Sequence, residues 1–201
     1  MSKVICLDLE MNQPSGKIIQ IGYVIADVVT NRTFLERSIV VDPKEPLGEI
    51  VQGDLQVPVA AFTGISQERI DQEGVSLLEA YQILCDDVKR HNPTTTCVQW
   101  GDGAGDHKGD HDAIRRELGL DWDSFIFRPR SWDVKSLYQI YRAFHHAGVV
   151  GGVNSALKSL GMTFEGREHD ALCDAKNTYR IFYLLGQKLV LADQLKRLVN
   201  K

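Results

Sequence analysis

Long apolar runs, paired cysteines and an excess of basic charge are all missing from this chain, and each absence removes a class of function. No hydrophobic stretch reaches the roughly 20 residues needed to cross a bilayer, so no membrane role is expected. Met1-Ser2-Lys3 leads directly into a strand pattern rather than into a signal peptide, and this suggests a cytoplasmic protein. The four cysteines, Cys6, Cys85, Cys97 and Cys173, stand far apart with no paired spacing. They suit thiols in a reducing compartment, and neither a disulfide framework nor a zinc site. With 23 basic against 27 acidic residues, the formal charge of −4 excludes coating of nucleic acid by bulk electrostatics.

What is present is an ordinary globular composition, 43% hydrophobic and 25% charged over 201 residues, enough for one α/β domain spanning residues 1–201. Period-2 patterns predict strands over about 3–10, 18–29 and 33–42, with Thr30-Asn31-Arg32 as the turn between the second and third. Residues 43–65 form a long loop punctuated by proline and glycine. Ser76 and Glu79 make a capping box opening a helix to about 90, with Tyr81, Leu84, Cys85 and Val88 on one face. A fourth strand is expected over 95–100, a helix from Asp112 to just before Gly119, and a fifth strand near 125–131. Asp133 and Asn154 are expected to cap the next two helices, and Asp170 the last long one.

The informative residues are acidic. Asp8 and Glu10 end the apolar run Val4-Ile5-Cys6-Leu7, and their spacing of two puts both on one strand face, about 6–7 Å apart at roughly 3.3 Å per residue. Ile5, Leu7 and Leu9 anchor the opposite face. A carboxylate pair beside a core calls for a cation, because unpaired buried charge is costly. Several carboxylates with few cysteines favour a hard, oxygen-ligated ion such as Mg²⁺ or Mn²⁺. Asp174 falls in the first turns of the last helix, where the dipole favours an acid. His169 precedes the cap on a loop, and an imidazole is the natural base for a water at neutral pH.

Taken together these residues resemble the DEDDh group of 3′–5′ exonucleases, the DnaQ-like branch of the ribonuclease H-like superfamily. Asp8-Leu9-Glu10 followed by Ile18-Ile19-Gln20-Ile21-Gly22 is similar to the first motif. Phe62-Thr63-Gly64-Ile65 resembles the family's Thr-Gly-Ile loop, and His169 with Asp174 five positions later matches the third motif. The resemblance implies a mixed five-stranded sheet flanked by helices, with the site at the ends of the central strands. It implies two divalent ions, Mg²⁺ or Mn²⁺, held by Asp8, Glu10, Asp112 and Asp174, with His169 as general base. The substrate would be the 3′ end of single-stranded DNA or RNA, released as nucleoside 5′-monophosphates. Met11, Thr63, Gly64 and Ile65 would contact the terminal nucleotide. A homo-oligomer is left open. Net negative charge is no obstacle, since such an enzyme grips only a chain end and its metals supply positive charge.

Two departures stand out. The second motif is blurred, since Asp102, Asp106, Asp110 and Asp112 all follow Trp100-Gly101 in a stretch that also carries His107 and His111. Asp112 is expected to be the ligand because Ala113-Ile114-Arg115-Arg116 continues from it as a helix, as in the family. Gln20 stands where many relatives have glutamate. The competing reading from another class is a catalytically silent nucleic-acid-binding or regulatory module of the same fold, for which loss of a ligand is the usual mark. Arg128, Arg130, Lys135, Arg142 and the three tryptophans are expected to be solvated surface or core.

Overall fold

A computed structural model describes residues 2–101, 108–145 and 151–199. Strand β1 (Lys3–Met11) lies at the centre of a five-stranded sheet with order β3-β2-β1-β6-β7. β2 (Ile18–Asp27) pairs antiparallel with both β1 and β3 (Arg32–Val40). β6 (Val98–Gln99) and β7 (Trp132–Asp133) run parallel to β1. This is the mixed sheet expected.

Alternation along β1 divides the core. Ile5, Leu7 and Leu9 pack with Tyr81 and Leu84 of α3 (Leu77–His91) and Ile114 of α4 (Asp110–Glu117). Val4 and Cys6 face the other way, among Val134 and Tyr138 of α5 (Val134–His145), Ala156 of α6 (Val153–Ser159) and Ile181 of α7 (Ala171–Val199). Helices on both sides bury β2 almost along its whole length, so it reads as a continuous apolar run rather than an alternating one. Asp8 and Glu10 continue the Val4–Cys6 side, so the acids emerge where that layer of helices ends.

Several expectations are corrected. The 43–65 stretch contains a hairpin of β4 (Glu49–Gln52) and β5 (Leu55–Pro58) followed by α1 (Val59–Thr63), and α2 (Gln67–Glu73) comes after it. Residues 125–131 are not a strand. Phe125 and Phe127 turn into the core, and Pro129 has no N–H for a ladder, so the chain joins the sheet only at Trp132–Asp133. The expected fourth strand shortens to Val98–Gln99, between β1 and β7. Helix α6 starts after Gly152 without a side-chain cap, so Asn154 lies inside its first turn rather than at the cap, and its Nδ2 donates to Glu168. Ser76 does cap α3 by accepting from the Glu79 N–H at 3.2 Å, and the Asp133 carboxylate accepts from the Lys135 N–H at 2.8 Å at the start of α5. All four cysteines are free, Cys6 and Cys97 buried. No described helix is long and apolar enough to cross a membrane.

Candidate active site

Close packing at one glycine delivers the last helix to the strand that carries the acids. Gly22 of β2 pairs with Asp8 across the ladder, and a Cβ there would lie 2.1 Å from the Ala171 carbonyl carbon. The first turn of α7 therefore rests directly on the sheet. Beside it Gln20, fully buried and paired with Glu10 in register, reaches up with its amide. Its Oε1 accepts from the Ala171 N–H at 2.9 Å, and its Nε2 donates to Asp170 Oδ2 at 3.1 Å and Ser38 Oγ at 2.9 Å. Asp170 caps α7 as expected, its Oδ1 accepting from the Cys173 N–H at 3.0 Å.

Ahead of that cap His169 adopts a left-handed φ of 61°, and its backbone N–H donates to Asp174 Oδ2 at 2.8 Å. The ring stacks on Phe62, centroid to centroid 3.8 Å. Arg167 ties the two loops together, donating to the Ala61 carbonyl at 2.9 Å and lying over Gly64, where a Cβ would sit 1.6 Å from the guanidinium. As a result the ligand atoms of Glu10, His169 and Asp174 all lie within 4.8 Å of one another. Asp8, Glu10, His169 and Asp174 line one open cavity of about 350 Å³, with Trp100 and Asn154 on its wall.

The second motif places its two neighbouring aspartates in different surroundings. Asp112 is buried, but its Oδ1 accepts from Arg115 Nε at 2.8 Å and its Oδ2 from the Lys108 N–H at 3.2 Å, with Arg116 at 3.4 Å. Burial raises this carboxyl, yet the bonds from Arg115 and Lys108 outweigh it and hold it below the usual range. Asp110 lies two residues earlier, about 200° around the helix at roughly 100° per residue, half-buried on the helix that packs against β1. After burial, Asp110 is the largest cause raising the Asp8 carboxyl. The sequence held a signal for this assignment: Asp112 with Arg115 and Arg116 is an i,i+3 and i,i+4 pattern that already occupies the acid. Asp102, Asp106 and His107 lie outside the described residues.

A second buried glutamine holds this helix. Gln99 of β6 donates through Nε2 to the Lys108 carbonyl at 3.0 Å and Ser131 Oγ at 3.1 Å, while its Oε1 accepts from His111 Nδ1 at 3.1 Å. The fit is close, since a Cβ on Gly109 would lie 1.9 Å from Gln99 Nε2.

Like charge dominates the electrostatics. Burial and then Asp110, Asp174 and Glu10 push Asp8 well above the carboxylate range. Glu10 is pushed up to about 8 by burial, then by Asp174, Asp170 and Asp110. Burial takes Asp110 to about 7 and Asp174 to about 6. His169 shifts downward, again through burial, which favours the neutral imidazole. Such a cluster of carboxylates stores repulsion that a divalent cation would relieve, and its carboxylate oxygens fit a hard ion such as Mg²⁺ or Mn²⁺.

The residues expected to touch the nucleotide are largely buried. Thr63 is buried, its hydroxyl donating to the Val59 carbonyl at 2.9 Å and accepting from the Ile65 N–H at 3.2 Å. Ile65 is core, packed with Ile19, Val40 and Ile70. Gly64 ends α1 at φ 77° under Arg167, and Met11 is partly buried against the core around Leu7. What this loop presents to the His169 side is Phe62.

No family model matches the chain, and no curated protein matches its sequence. Solved structures do match. The nuclease domain of 3′hExo, a DEDDh family member, bound to rAMP, superposes with a TM-score of 0.68 at 18% identity, covering 93% of this chain and 92% of that one. The fold is that of the DEDDh 3′ exonucleases. Cell-death related nuclease 4 (CRN-4) gives a TM-score of 0.68 at 15% identity over 94% of this chain and 64% of its own. Exonuclease I of E. coli, in complex with a dT13 oligonucleotide, gives 0.66 at 14% identity over 97% of this chain and 43% of its own. At these identities the likeness concerns the backbone, and the chemistry rests on the side chains described above.

Proposed function

We propose that this protein is a metal-dependent 3′–5′ exonuclease that hydrolyses the terminal phosphodiester of single-stranded DNA or RNA and releases nucleoside 5′-monophosphates. One observation carries the reading: Asp8, Glu10 and Asp174 converge with His169 at one open cavity, with Asp110 acting on Asp8, on the fold of known 3′ exonucleases. In this reading Asp110, rather than the Asp112 expected from the sequence, is proposed as the second-motif ligand, because the Asp112 carboxylate is already engaged by Arg115 and Lys108.

Asp8, which is raised by Asp110, Asp174 and Glu10 alike, would be the ligand shared by two ions. Glu10 and Asp174 would complete one coordination shell, and Asp110 would hold the other ion. When bound, the ions polarise the phosphate and stabilise charge on the leaving 3′-oxygen. His169, its neutral form favoured by burial and its ring steadied by Phe62 and by the backbone bond to Asp174, would take the proton from the attacking water at a ring nitrogen. Phe62 would offer an aromatic face to the terminal base, and Met11 and the Thr63–Ile65 loop are proposed to contact that nucleotide through what they leave exposed.

End-labelled single- and double-stranded DNA and RNA, incubated with Mg²⁺, with Mn²⁺ and with EDTA, test this. Stepwise loss of 3′ nucleotides from single strands, abolished by EDTA, is expected. No 3′ shortening of any substrate with either ion sinks the proposal.

A further inference from the structure

Gln20 takes no part in the chemistry just described, yet it is the side chain on which the His169–Asp174 turn stands. It is completely buried in β2, and every polar atom of its amide is used: one acceptor and two donors, two of the three bonds going to the first residues of α7. Hydrophobic packing can press a helix end against a sheet, but it does not fix rotation about the contact. Directional bonds do. Because Ala171 N–H and Asp170 Oδ2 are gripped by the same amide, the first turn has one height and one rotation over Glu10, the strand neighbour of Gln20. That rotation decides whether His169 and Asp174 come within reach of Glu10.

We infer that Gln20 is a positioning residue that sets the α7 turn so that His169 and Asp174 close the metal site on Glu10. The inference rests on the exonuclease reading for its activity arm, and on metal binding alone for its other arm. Glutamine is specifically required, because Asp170 supplies an acceptor and Ala171 a donor. Gln20→Glu keeps the shape and the acceptor but sets a carboxylate against Asp170. Exchanging donor and acceptor, as in the double variant Gln20→Glu/Asp170→Asn, restores a hydrogen bond between the two positions, and asparagine still caps the helix.

The test measures Mn²⁺ binding to the full chain by calorimetry, with kcat and KM on a 3′-labelled single strand and a melting curve for each variant. Gln20→Met and Gln20→Glu should weaken Mn²⁺ binding and lower kcat by about 10–100-fold, the range found when a partner of a metal ligand is removed, while KM stays within about twofold. The double variant should recover most of the lost Mn²⁺ affinity. A purely structural Gln20 would lower the melting temperature and leave Mn²⁺ affinity and kcat unchanged in the folded range, and that result overturns the inference. So does a double variant no better than Gln20→Glu, which decides the matter even if Gln20→Met fails to fold. A wild-type protein that binds Mn²⁺ but cuts nothing removes the exonuclease reading and leaves the Mn²⁺ arm to judge Gln20. A wild type that binds no Mn²⁺ removes both.

Discussion

Asp110 and Asp112 stand two residues apart, and only their partners tell them apart. Asp110 is raised to about 7 while Asp112 is held low by its arginines. Asp110→Asn should therefore lose at least the 10–100-fold associated with outer-shell partners of a metal, with little effect on folding. Asp112→Asn should keep most activity but lose about 1.5–3 kcal/mol of stability, since its bonds are to charged groups. Parallel rate and denaturation measurements on the two variants check this, and the opposite pattern would return the ligand role to Asp112. His169 gives a second test at this scale. Its pKa lies below the ordinary value, so the rate should rise with pH only up to that depressed value and be flat above it. His169→Ala should lose about 10²–10⁴-fold and that rise with it, while still binding Mn²⁺. Single-turnover rates against pH for both proteins decide; an unchanged profile in the variant leaves water activation to the metals.

Elements meet at this site through close contacts of backbone rather than through long side chains. Where α7 crosses β2, Gly22 leaves no space for a methyl group, since a Cβ at that position would come within 2.1 Å of the α7 backbone. Gly22→Ala must lift the first turn of α7 away from the sheet, at a cost of about 1–3 kcal/mol typical of overpacking. Because Asp174 and His169 ride on that turn, activity should fall more than stability alone explains. Comparing kcat with the melting temperature checks it, and a variant that melts lower but turns over normally would show that the turn tolerates the shift. On the other wall Gln99 and Gly109 hold the start of α4, which carries Asp110.

For the whole molecule the acid cluster is a liability that metal removes. Glu10 and Asp110, raised to about 8 and about 7, keep protons in the folded state that the unfolded chain has already released. The folded protein then binds more protons than the unfolded one, so stability falls as pH rises from the ordinary carboxyl range toward about 8. Metal-free protein should melt lower at pH 8 than at pH 6, and Mg²⁺ should restore more at the higher pH, about 2.7 kcal/mol once it exceeds its Kd a hundredfold. Thermal melts with EDTA and with Mg²⁺ across that range measure it. A melting temperature indifferent to Mg²⁺ at every pH would end the metal-site reading.

The amino-acid pattern alone determined the long strands, several helix caps and the four residues that meet at the cavity, Asp8, Glu10, His169 and Asp174, because period and capping are local properties. Asp8 and Glu10 share a face by strand geometry, and Asp170, Asp174 and His169 follow from one helix start. It missed whatever depended on partners distant in sequence. Pro129 and the inward turn of Phe125 and Phe127 shortened the expected fifth strand, and the short β4–β5 hairpin carried too little periodicity to be seen. Only the tertiary structure engaged Asp112 with Arg115, turned Thr63 and Ile65 into the core, and brought Phe62 onto His169. Gln20 was visible in the sequence without a role, because its partners stand 18, 150 and 151 residues away. A buried amide acquires meaning only when folding places something for it to hold.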